Sequence, residues 1–219
     1  METSVYKTLR APGQDEFTER KSRFIGCGSP AADEASALAY LAYVRAKYKD
    51  AGHHCYAYIV GRNAGIMRYS DDGEPGGTAG MPILGVMRAR GLVDCAVVVI
   101  RYFGGVLLGA GGLTRAYSKS AAVALDAAGV VTMHRTHRYL AEVPYPYWDR
   151  VAYALGSAPC VVERQDFTDR VTVTLRVRET DAPGLLSLLA RASDGRAVSL
   201  LTEESFTGWE DPPRTTKKP

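Results

Sequence analysis

Three sets of residues in this 219-residue chain carry side chains able to do chemistry. The first is cationic and glycine-rich. Arg20, Lys21 and Arg23 lead into a short apolar run, and Arg101-Tyr102 opens a crossing through Gly104, Gly105, Gly111 and Gly112 to Arg115 and Lys119. Glycine permits backbone geometry that other residues resist. Free amides at a helix start, with cations nearby, attract anions. Arg115 and Lys119 are four residues apart, so one helix carries both on one face. RNA or ribosome binding needs cations for phosphates and exposed amides or aromatics for positioning. The same glycines suit tight packing of a strand on a helix without any ligand, and spacing leaves both readings open.

The second set is the loop Ser70-Asp-Asp-Gly-Glu-Pro-Gly-Gly-Thr-Ala-Gly80, with Asp71, Asp72 and Glu74. Hard cations take several oxygen ligands, but this spacing departs from an EF-hand loop. Such loops also serve as turns and caps, with carboxylates accepting backbone amides, and a contact with an Arg or Lys of the glycine crossing is expected. The third set is His53-His-Cys55. Neighbours on a strand point to opposite faces, so His53 and His54 do not share one ion. A zinc site needs about four ligands, and only Cys95 is available to join. A Cys–His nucleophile pair lacks an orienting third group. His54 is therefore placed with Asp71, Asp72 and Glu74 in a polar cleft. No catalytic residue, metal ligand or cofactor is assigned. A small metal-dependent hydrolase built on the acidic loop stands as the enzyme alternative. There is no G-x-S-x-G, no H-E-x-x-H and no Walker lysine, and Gly109-Ala-Gly-Gly112 lacks dinucleotide spacing.

The elements that must position these groups follow from periodicity. Cys95 to Ile100 is apolar without a break, which suits a strand covered on both faces. A helix from about 112 to 128 follows the glycines and ends at Gly129. Upstream, residues 1–19 form an arm or an edge strand, and Phe24 to Cys27 a short strand. Asp33 caps a helix with Leu38, Leu41, Ala42 and Tyr48 on one face and Gly52 as its stop. His53 to Val60 and Ile66 to Tyr69 make a hairpin, and Met81 to Arg90 a helix stopped by Gly91. After residue 133 the pattern restarts: strand Arg138–Val143, a helix opening near Pro146, strands Val161–Phe167 and Val171–Val177, a helix capped by Asp181, and strand Ala197–Leu201. That β-α-β-β-α-β order is the ferredoxin-like unit. The expected division is an α+β domain over 1–133, a ferredoxin-like domain over 134–207 and a disordered tail over 208–219 rich in Pro, Thr and Lys.

Net charge is +3, too weak to argue for nucleic acid alone. It resides in residues 1–133, which hold 15 Lys and Arg against 12 Asp and Glu, so any basic surface belongs there. Cys27, Cys55, Cys95 and Cys160 are widely spaced in apolar segments, as buried reduced thiols of a cytoplasmic protein are. No apolar run reaches the roughly 20 residues that span a membrane, and the first residues do not read as a signal peptide.

Lys21-Ser-Arg-Phe-Ile25, the acidic loop 70–80 and Arg101-Tyr-Phe-Gly-Gly-Val-Leu-Leu-Gly-Ala-Gly-Gly-Leu-Thr-Arg-Ala-Tyr117, with His53-His-Cys55, together resemble the YigZ/IMPACT family in its two-domain bacterial form. Their order and spacing cover nearly all of residues 20–205. Gly77 within the acidic loop and the apolar Val106-Leu-Leu108 are small departures. The resemblance implies a first domain folded like a small-subunit ribosomal protein and domain IV of elongation factor G. It implies a second domain like the last domain of that factor, in agreement with the ferredoxin-like pattern. It also implies a non-enzymatic role in translation or its regulation, with RNA, the ribosome or a translation-regulatory protein as partner and no membrane.

Overall fold

The computed structural model describes residues 5–209. The chain divides into two compact units between Thr132 and Met133.

The first unit contains β1 (Val5–Leu9), β2 (Gly13–Glu19), β3 (Ser22–Pro30), α1 (Glu34–Lys47), β4 (His53–Val60), β5 (Ile66–Ser70), α2 (Gly80–Ala89), β6 (Cys95–Tyr102) and α3 (Ala110–Ala128). Its sheet runs β2-β3-β6-β4-β5, and every neighbouring pair is antiparallel. β6 lies at the centre, and its unbroken apolar run is explained by two coverings. Cys95, Val97 and Val99 enter the core shared with α2 and α3. Ala96, Val98 and Ile100 enter the core shared with α1. The period-2 alternation of a strand thus feeds two hydrophobic layers. Each buried side chain of this size contributes about 1.5–3 kcal/mol of transfer free energy.

Two boundaries differ from expectation. α1 opens as foreseen, on a capping box in which the Asp33 carboxylate accepts the Ser36 amide and Ser36 Oγ accepts the Asp33 amide. It buries Ala37, Leu41 and Val44, while Leu38 is 50% exposed. It ends at Lys47, five residues before Gly52. β3 reaches from Ser22 to Pro30 because β2 and β6 pair along most of its length.

The second unit comprises β7 (Val130–Val143), which crosses the division, α4 (Tyr145–Leu155), β8 (Cys160–Phe167), β9 (Val171–Arg178), a 3-10 turn at Glu179–Asp181, α5 (Ala182–Ala192) and β10 (Val198–Trp209). The pairing order β10-β7-β9-β8 completes a ferredoxin-like arrangement. Val171, Val173, Leu175 and Val177 of β9 are fully buried, while Thr172, Thr174, Arg176 and Arg178 alternate outward. Residues 130–133 join the strand expected at 138–143 in one 14-residue element. Asp181 stands at the N-cap of α5 but makes no side-chain cap bond.

β10 also runs past the expected Leu201. Gly208 and Trp209, assigned to the tail, belong to this strand. Trp209 Nε1–H donates to Thr136 Oγ1 at 2.9 Å, and the Arg176 and Arg178 guanidinium groups lie 4.9 and 5.1 Å from its ring. These contacts tie the end of the strand to the sheet. The rest of the expected tail, 210–219, lies outside the described residues. Among the described residues, no helix is long and apolar enough to cross a membrane.

Candidate functional site

The three motifs meet at Arg101. It follows Val99 on the α2/α3 face of β6, where the next inward position is no longer apolar. Arg101 Nη1 donates to Glu74 Oε1 at 2.6 Å and Nη2 to Ser22 Oγ at 3.3 Å. Tyr117 of α3 donates its hydroxyl to the same Glu74 oxygen at 2.7 Å. The Arg101 and Glu74 side chains are only 6% and 3% exposed. A carboxylate of the acidic loop thus pairs with a cation of the glycine crossing, as the loop chemistry suggested. The consequence for Arg101 is a correction. It is a core residue that holds three motifs together, and it does not stand on the surface as a phosphate ligand.

Ser22 is the partner that sequence reasoning missed. It is fully buried, and its Oγ also accepts the Gly104 amide at 3.2 Å. A Cβ at Gly104 would come within 2.0 Å of the Lys21 carbonyl carbon, so only glycine permits this backbone approach. Glu19 pairs with Ser22, leaving Arg20 and Lys21 as a two-residue hairpin loop with φ of 45° and 66°. Asn and Gly are the usual occupants of that loop geometry. Two cations here cost conformational energy and are presented to solvent.

The basic residues separate into two groups by the element that carries them. Arg20, Arg115 and Lys119 are exposed and line one pocket of about 230 Å³ with Phe17, Glu19, Leu108 and Gly112. Lys119 Nζ lies 4.1 Å from the centre of the Phe17 ring, which stacks on Phe24 at 5.5 Å. Arg23 and Tyr102 are excluded from that pocket. Arg23 has the parity of Ile25 and Cys27, which pack in the α1 layer. It pairs with Glu16 at 2.6 Å and lies 5.8 Å from the Tyr102 ring. The Tyr102 hydroxyl donates to Asp50 at 2.9 Å. Lys21 is exposed but does not line the pocket. Of the remaining glycines, Gly105 has a φ of 82°, while Gly111 and Gly112 fall within the first turn of α3.

The acidic loop and the histidines are likewise redistributed. Asp71 caps α2. Its Oδ1 accepts the Ala79 and Gly80 amides at 3.0 and 2.8 Å, and its Oδ2 accepts Gly77 at 2.8 Å. Burial pushes its pKa up, but those three amides outweigh burial and hold it below the usual carboxylate value. Gly77, a departure from the family motif, is thus one of the cap donors. Asp72 Oδ2 accepts the His54 amide at 2.6 Å, and its Oδ1 accepts Arg45 at 3.2 Å.

His54 keeps Asp72 of its assigned cleft, with Nδ1 3.8 Å from that carboxylate. Its Nε2–H donates to the Tyr48 carbonyl at 2.9 Å, at the end of α1. His53 takes the place beside Glu74, with Nε2 4.0 Å from that carboxylate and Nδ1–H donating to the Asp72 carbonyl at 2.8 Å. The two rings do point to opposite faces. Cys55 is fully buried and burial pushes its thiol up to about 12, so it is no nucleophile at neutral pH. Cys160, expected inside, is only partly buried. Among the described residues, no three His, Cys, Asp or Glu side chains form a group that could hold a metal ion. The loop carboxylates are already engaged by amides and arginines.

The Impact N-terminal domain matches residues 20–125, and a domain of unknown function, DUF1949, matches residues 142–196. The IMPACT family member YvyE of Bacillus subtilis is 33% identical over 192 residues, covering 88% of this chain and 88% of that protein. An IMPACT family member of Thermus thermophilus is 41% identical over 158 residues, covering 72% of this chain and 85% of its own. YigZ of Escherichia coli is 32% identical and covers 84% of this chain and 92% of its own. A crystal structure of a hypothetical protein superposes with a TM-score of 0.59 at 30% identity, covering 92% of this chain and 98% of that one. With such identity over both units, the chain belongs to the IMPACT family.

Proposed function

We propose that the protein is a non-enzymatic, cytoplasmic binding protein of the translation apparatus that contacts RNA phosphates through the pocket of Arg20, Arg115 and Lys119. The observation that carries this reading is the convergence of three exposed cations from two distant segments on one pocket floored by an aromatic ring. Cations supply the phosphate attraction, and Phe17 supplies a surface for a base or sugar. Glu19, also at the rim, limits the affinity and favours a backbone held away from the β2 edge. The family resemblance to elongation-factor domains supports the translation setting.

The test is a fluorescence anisotropy titration of the full chain with a labelled RNA hairpin at low and moderate salt. Affinity should fall steeply as salt rises. Arg115→Ala and Lys119→Ala should each weaken binding and reduce the salt slope by about 1. Binding that is absent, or indifferent to salt and to both substitutions, overturns the reading. A protein partner is the second reading. Val198 and Leu200 on β10 are 61% and 63% exposed, an apolar stretch that a translation-regulatory protein would cover.

A further inference from the structure

The two edges of the second unit's sheet are defended unequally. β8 forms one edge. It carries Glu163, Arg164 and Asp166, and its pairing with β9 shifts register between Val162 and Arg164. Charges and an irregular ladder are devices by which an edge strand resists pairing with another chain. β10, by contrast, pairs with β7 alone among the described residues. Its first five residues, Val198-Ser-Leu-Leu-Thr202, hold no charge, and the whole strand holds no proline, lysine or arginine. Every residue from Val198 to Glu204 is exposed. An edge of this kind leaves a row of backbone amides and carbonyls ready for a further strand.

The strand's own side chains indicate what that further strand is. Two copies of one strand pair antiparallel about a two-fold axis, so each contact is made twice. With the axis at Leu200, Leu200 faces its own copy, Val198 faces Thr202, and Arg196 faces Glu204. Val198 and Leu200 of both copies then share one face around the axis. Arg196 is exposed and has no side-chain partner among the described residues. Glu204, 44% exposed beside Arg135, has lone pairs to spare for it. Neighbouring registers lack this match. An axis at Ser199 sets Asp194 against Glu204, and an axis at Leu201 sets Val198 against Glu204. Opposite charges across a strand pair stabilise it and like charges oppose it. The strand is therefore complementary to itself in the register centred on Leu200.

We propose that β10 pairs with β10 of a second copy of this chain, antiparallel about Leu200, so that the sheets of two second units become one continuous sheet. Arg196 and Glu204 fix the register from both ends, and Val198 and Leu200 are withdrawn from water at its centre.

The experiment is sedimentation velocity on the full chain from about 1 to 500 μM. A concentration-dependent dimer is expected. Leu200→Lys sets like charges at the axis and should weaken association by about tenfold or more. Arg196→Glu sets a like charge opposite Glu204 and should weaken it by about threefold or more. Both side chains are exposed, so the substitutions spare the fold, which circular dichroism checks. Cross-linking with oxidised glutathione reads the register. Residues directly opposite in an antiparallel pair have Cα atoms about 4.5–5.5 Å apart, within disulfide reach. Leu200→Cys should link two chains, while Leu201→Cys, two residues out of register with its own copy, should not. The parent protein, in which Cys27, Cys55 and Cys95 are buried, is the blank. A chain that stays monomeric throughout overturns the proposal and leaves the edge to a regulatory protein. A dimer that either charge substitution leaves unchanged, or Leu201→Cys linking as readily as Leu200→Cys, overturns it as well.

Discussion

The Arg101–Glu74 pair of the first unit and the Arg138–Glu163–Arg176 ladder of the second are built from the same residue types. Their closest distances are 2.6 Å, against 2.8 and 2.9 Å. They differ in surroundings. The first pair is 6% and 3% exposed, whereas the ladder side chains are 39%, 26% and 24% exposed. In the ladder each charge has water as an alternative partner, so a bridge there is replaceable. In the core the only alternatives are the neighbouring polar atoms, so Arg101 and Glu74 are bound to one another. Geometry alone therefore does not say what an ion pair does; solvent access does. The same contrast separates Arg101 from Arg115, which belong to one motif, the first buried and the second exposed.

The sharpest way to break this contrast is Glu74→Ala. It strands the Arg101 charge and the Tyr117 hydroxyl, and stability should fall by about 3–5 kcal/mol. Urea denaturation followed by circular dichroism reads this directly. Adding Arg101→Met should restore a substantial part of the loss, because the unpaired charge is then gone. A loss below about 1 kcal/mol would place the pair with the surface ladder.

Asp71→Ala is intermediate, since a cap is lost but no charge is stranded. A cost of about 1–2 kcal/mol at neutral pH is expected. The folded carboxyl has its pKa lowered, because the Gly77, Gly80 and Ala79 amides outweigh burial. Its stabilisation is therefore complete above the ordinary Asp value and is lost as pH falls through the folded value. The gap between the parent protein and Asp71→Ala should close below about pH 4. A gap that stays constant from neutral to acidic pH would remove the charged cap from the account.

Glu163→Ala should have the smallest effect, within about 1 kcal/mol, and less again at about 1 M salt. A loss as large as that of Glu74→Ala would show that the ladder, despite its exposure, behaves like a buried network.

Much of the fold was legible in the chain. The unbroken run Cys95–Ile100 announces a doubly covered strand. Asp33 and Ser36 announce a helix start, and Gly129, with a φ of 68°, ends α3 as expected. The alternation Val171 to Arg178 announces a strand with one buried face. Strand ends were less legible. The extents of β3, β7 and β10 follow from partner strands and from contacts such as Trp209 with Thr136, separated by 73 positions. The site was legible only as a set of motifs. Ser22 carries no signal of its own, because a serine reads the same on a surface and in a buried polar network. Choosing between His53 and His54 required the register of β4 on β6, in which His53 pairs with Arg101.

Helix caps, strand period and the conformational freedom of glycine are settled between near neighbours, so residue order suffices to read them. Whether a cation is free or committed is settled by what surrounds it after folding. Glu74 arrives from 27 positions away and Ser22 from 79, and together with Phe24 and Tyr117 they exclude water from Arg101. Arg115 and Lys119 gain no such neighbours and keep theirs. The motifs could be read in residue order, but tertiary packing divided them into a core that binds itself and a basic pocket open to other molecules.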